Sequence, residues 1–111
     1  MIIRAATALL LCAPNLALAE IAAQNTNYTC DRGVEIPVVY VNDAATSLAV
    51  LVVEGRQIML YSEPSASGVR YGWPSDGSNY VWWSKGSEAT LLWRDSATNS
   101  ETALISACKR N

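Results

Sequence analysis

The chain has no histidine and no phenylalanine, and only three cysteines in 111 residues. Without histidine there is no Ser-His-Asp arrangement and no imidazole to ligate a metal. The lack of a C-x-x-C pair removes the usual redox and zinc readings, and no glycine-rich phosphate loop is present. Eight basic and ten acidic residues are scattered with no basic patch, which argues against a nucleic-acid partner. Carboxylate chemistry on a glycoside would need two acids lining one cleft, about 5–10 Å apart. Glu63 and Asp76 are the nominees, but both are expected in loops as solvated charge. The sequence is therefore read as a non-enzyme without cofactor or metal.

What is there begins with an export signal. Arg4 supplies a positive start, Ala5 to Cys12 is almost wholly apolar, and Ala17-Leu18-Ala19 is an A-x-A cleavage site. Residues 1–19 are expected to be removed and 20–111 to form the exported domain. Cys12 raises a lipoprotein anchor, but Leu11 stands where a small residue is wanted, so membrane anchoring is not expected. Two cysteines then remain, Cys30 and Cys108, and in an oxidising compartment an even pair reads as a structural disulfide. Removing Arg4 leaves seven basic and ten acidic residues, a mildly acidic surface that suits a basic protein partner.

From Tyr28 onward, short runs of β-formers alternate with turn residues. Strands are expected at Tyr28–Cys30, Glu35–Val41, Ser47–Val53, Arg56–Tyr61, Gly68–Trp73, Tyr80–Trp83, Ala89–Arg94 and Thr102–Cys108. Residues 20–27 read as a loose lead-in. Glu54-Gly55 reads as a two-residue hairpin loop, and Pro37 should open its strand or lie at an edge. Ile36, Val38 and Tyr40 share one face, as do Leu91 and Trp93, while Ser47–Val53 is apolar on both. Eight short strands at this spacing suggest a small antiparallel barrel or sandwich.

Two stretches stand out. Ser65-Ala66-Ser67-Gly68-Val69-Arg70-Tyr71 and Trp83-Ser84-Lys85-Gly86-Ser87-Glu88-Ala89 each set a small polar or cationic residue before a glycine. Gly68 and Gly86 permit tight turns that would project Ser67 and Lys85. A Ser–Lys dyad would require a buried lysine with a lowered pKa, whereas a turn lysine stays exposed and charged, better suited to binding a carboxylate on another molecule. On spacing alone the ordinary reading is favoured: a solvated turn lysine, a flexible connection, and four tryptophans that fill core and interface.

The two stretches, in this order and flanked by Tyr28-Thr29-Cys30 and Cys108, resemble the paired signature of the bacterial MliC/PliC inhibitors of c-type lysozyme. The resemblance covers essentially the whole domain. It implies an all-β fold, an antiparallel eight-stranded β-barrel closed by one disulfide, Cys30–Cys108, that inserts two loops into the lysozyme cleft. Ser67 and Lys85 match the family serine and lysine that reach the enzyme's catalytic acids. Tyr71 matches a tyrosine that buttresses the first loop, and Tyr71, Arg70, Gly68 and Gly86, which belong to the same motifs, are expected to form the lysozyme-binding surface with Ser67 and Lys85. The partner implied is c-type lysozyme, with homodimerisation left open, and the poor lipidation context of Cys12 places the resemblance with the family's soluble periplasmic subgroup. The segment around Gly72–Asn79 is about four residues longer than the family pattern, so its tip could add contacts or limit which lysozymes fit. The alternative is an envelope barrel binding a small ligand or cell-wall glycan fragment through its tryptophans.

Overall fold

The computed structural model describes residues 21–111; the expected leader, its cleavage site and Cys12 lie outside the described residues. Eight antiparallel strands follow one another around a closed barrel: β1 Ala22–Thr29, β2 Glu35–Asn42, β3 Ser47–Val53, β4 Arg56–Glu63, β5 Val69–Gly72, β6 Asn79–Lys85, β7 Glu88–Asp95 and β8 Ser100–Arg110. A 3₁₀ turn, Asp31–Gly33, separates β1 from β2. Every expected strand is present. The lead-in expected at 20–27 is instead most of β1, paired with β2 from Ala22↔Asn42 to Thr29↔Glu35. Its Ala, Gln and Asn residues are exposed and carry no apolar alternation, so backbone pairing holds a strand that side chains do not announce.

Period-two alternation builds the core. Ile36, Val38 and Tyr40 point inward from β2, and Ala49, Leu51 and Val53 from β3, all buried. The other face of β3 is half-buried at Leu48 and Val50 and exposed at Val52. Pro37 does not open β2, which starts at Glu35. It pairs with Asn27 of β1 and, lying one residue before the β2–β3 ladder starts at Val38↔Leu51, has no β3 partner, so that side of β2 is locally an edge. Large aromatics fill the centre. Trp82 and Tyr28 are fully buried and meet edge to face with centroids 5.1 Å apart. The Trp82 indole donates to the Tyr40 hydroxyl at 2.8 Å, which also shares a 2.8 Å hydrogen bond with Tyr28. Burial first, then the Tyr28 hydrogen bond, pushes the Tyr40 hydroxyl far above the ordinary tyrosine value and keeps it neutral.

Closure rests on a short seam. β1 meets β8 through Tyr28↔Arg110 and Thr29↔Lys109, and the Cys30–Cys108 disulfide sits beside them.

Candidate functional site

β5 and β6 pair as Val69↔Ser84, Arg70↔Trp83 and Tyr71↔Trp82. This register carries the loop before β5 up against the end of β6, so the two motifs meet although 18 residues of sequence separate Ser67 from Lys85. The contact is close at Gly68, whose φ is +65°. A Cβ there would lie 2.7 Å from Lys85 Cγ and press on the backbone carbonyl of Ser84. Gly68→Ala should therefore cost about 1–3 kcal/mol of stability through left-handed strain, with backbone crowding in addition; chemical denaturation of the variant measures it.

Trp83 is the hub. Successive residues of a strand face opposite sides, so Trp82 fills the core and Trp83 turns outward. The Trp83 indole N–H donates to the Ser67 carbonyl at 2.9 Å, and Ser65 Oγ donates to the same oxygen at 2.5 Å. Lys85 Nζ lies 3.9 Å from the Trp83 ring centroid and Arg70 Cζ 4.9 Å from it. Lys85 is exposed and, among the described residues, has no carboxylate partner. It is the last residue of β6, opposite Glu88, rather than the tip of a turn. Gly86, with φ +57°, takes the turn position itself. Ser67 is exposed.

The chain as a whole has counterparts among known proteins. Residues 28–100 match the family described as membrane-bound lysozyme inhibitor of c-type lysozyme, MliC. The chain belongs to the MliC family. A curated relative from Cupriavidus necator, named membrane-bound lysozyme inhibitor of C-type lysozyme, is 39% identical over 77 residues, covering 69% of this chain. The chain spans 58% of that relative's length. Two solved structures share the barrel. Pseudomonas aeruginosa MliC, crystallised in complex with hen egg white lysozyme, has 32% identity and a TM-score of 0.63, covering 84% of this chain and 86% of that one. PliC-St, a periplasmic lysozyme inhibitor from Salmonella typhimurium, has 26% identity and a TM-score of 0.65, covering 83% of this chain and 99% of that one.

Within this MliC-family barrel the motif residues divide. Ser67, Gly68, Lys85 and Gly86 come together at one end of β5 and β6. Tyr71 is inside, 6% exposed, with its ring centroid 5.5 Å from that of Tyr40, so it supports the strand from within and offers no contact surface. Arg70 is committed to its own fold, its side chain only 14% exposed and paired with Glu63 and Glu101. Arg94 completes the network, 2.5 Å from Glu63 and 3.1 Å from Glu101. Glu63 is thus the last residue of β4 and doubly paired, where a solvated loop acid was expected. The loop at 73–78 joins the far ends of β5 and β6, a strand length from Ser67 and Lys85, and does not flank them.

The Glu63–Arg70–Arg94–Glu101 cluster escaped the sequence reading because its members come from four strands. Burial alone would push the Glu101 carboxyl up. Hydrogen bonds from Arg70 and then Arg94, with their charges, outweigh it and hold the group below its ordinary value of 4.5. A carboxyl depressed in the folded state stabilises above its unfolded pKa, and that contribution is lost as pH falls below 4.5 through the lower folded value. Glu101→Gln should flatten this acid-side loss, read as the urea midpoint against pH.

Proposed function

We propose that this chain is an exported inhibitor of c-type lysozyme, acting in the periplasm, that enters the enzyme's cleft with the Ser67 loop and the β6–β7 hairpin. It is an inhibitor and performs no catalysis of its own. The observation that carries the reading is Lys85: an exposed ammonium with no internal carboxylate among the described residues, resting on Trp83 beside Ser67. The hollow beside it is only about 130 Å³, lined by Trp83, Lys85, Glu88, Ala89 and Thr90. That is too small for a typical ligand pocket, and it suits a surface that fills another protein's cleft.

The chemistry follows from the target. A lysozyme works through two acidic residues, one kept protonated by a raised pKa so that it can protonate the leaving sugar. An ammonium brought within about 4–6 Å favours the ionised form and lowers such a pKa. Lys85 would thus disarm the general acid, gain charge-assisted hydrogen bonds, and occupy the space the glycan must enter. The acidic surface of this chain would steer a basic enzyme toward it.

The test is lysis of a bacterial cell suspension by a c-type lysozyme, with and without the purified chain. Dose-dependent slowing supports the reading. Undiminished lysis at molar excess of folded chain overturns it.

A further inference from the structure

Away from Ser67 and Lys85, the start of β4 and the start of β6 border a surface groove. Along three inward-facing rows, the fully buried Leu60, Trp82 and Leu91 are followed toward it by half-buried Ile58, Tyr80 and Trp93. Trp73, 37% exposed in the loop between β5 and β6, lines the same groove. A groove of about 370 Å³ lies between these side chains and the exposed Gln57 and Met59 of β4, within the size range of small-molecule sites.

Its lining is aromatic and rich in donors. Two of the four tryptophans are satisfied internally, Trp82 by Tyr40 and Trp83 by Ser67. The other two, Trp73 and Trp93, both line the groove, and neither indole N–H has a hydrogen-bond partner among the described residues. Both rings are held by neighbours: Trp93 against Tyr80 at 5.0 Å, edge to face, and Trp73 against Tyr61 at 5.8 Å. Asn79 spends its Oδ1 on the Tyr80 backbone N–H at 2.7 Å, which leaves its amide hydrogens to donate. Arg56 is the one charged residue lining the groove, and no carboxylate pairs with it among the described residues.

Aromatic faces flanked by unpaired donors match a sugar, whose C–H face stacks while its hydroxyls accept. An acyl chain would leave the donors unpaired, at a cost. The lone uncompensated Arg56 calls for an anionic substituent, and a carboxylate fits its planar fork. We infer that this groove binds a carboxylate-bearing saccharide, its ring stacked on Trp73 and Trp93 and its carboxylate on Arg56. The inference is independent of the lysozyme reading, which uses the opposite end of β5 and β6.

The disulfide-bonded chain would be titrated calorimetrically with three probes: a disaccharide containing muramic acid, chitobiose as a neutral analogue, and dodecanoate. Saturable binding of the acidic disaccharide is expected, about tenfold weaker binding of chitobiose, and none of dodecanoate. Trp73→Ala, in an exposed loop, should weaken the acidic sugar by about tenfold or more. Arg56→Gln should abolish the preference for acidic over neutral sugar. Lys85→Ala should leave binding unchanged. No saturable heat with either sugar, binding retained in both groove variants, binding lost with Lys85→Ala, or dodecanoate as the preferred probe would each overturn the proposal.

Discussion

Replacing Cys30 and Cys108 together by alanine is expected to remove roughly 4–5 kcal/mol of stability in the chain-entropy account of a cross-link, here one spanning 78 residues of sequence. Small domains have only about 5–15 kcal/mol in total, so the variant should melt far earlier and approach unfolding at physiological temperature. The topology concentrates the effect. β1 and β8 are paired at two positions next to the disulfide, supplemented by the Asn111 N–H donating to the Asn27 carbonyl at 2.9 Å and Thr29 donating to the Asn111 side chain at 2.7 Å. Loosening that end frees the first and last strands to fray together. Thermal unfolding with and without reductant reads the result, and coincident curves would contradict it.

Lys85→Ala is expected to leave the barrel intact and weaken lysozyme binding by about 2–5 kcal/mol, roughly thirtyfold or more. Stability should change little because Lys85 is exposed and gives up one surface contact with the Trp83 ring, worth about 0.5–1 kcal/mol. Binding should change greatly because truncation leaves the enzyme's carboxylates desolvated without a counter-charge. Trp83 matters in the same account as a platform: its indole fixes the Ser67 carbonyl while its ring seats the lysine. Equal inhibition by folded wild type and variant would remove Lys85 from the site.

The strands were legible because inward positions such as Ile36, Val38 and Tyr40 are apolar at every second residue and because glycine or Asn-Asp marks the turns. β1 was legible only at Tyr28, since Ala22 to Asn27 offers no pattern and its pairing is dictated by the strand opposite. Strand alternation turns Trp83 outward once Trp82 is inside, but which of the two adjacent tryptophans faces the core was not legible from the sequence. The nearness of Ser67 and Lys85 was not legible from spacing; it came through resemblance, and its cause is the β5–β6 register. The pairing of Glu63 and Arg94, 31 residues apart, has no local signature at all. Arg70 looked like a contact residue for the same reason: its partners are visible only when β4, β5, β7 and β8 are assembled.

Lys85 is proposed to meet the catalytic carboxylates of lysozyme. A double-mutant cycle tests this contact most directly, combining Lys85→Ala in this chain with neutralisation of each catalytic acid in the enzyme, and measuring the four dissociation constants calorimetrically. Coupling of about 1.5 kcal/mol or more with at least one acid is expected for a close charge pair. Additive effects at both acids would contradict the account and move the contact elsewhere on the barrel.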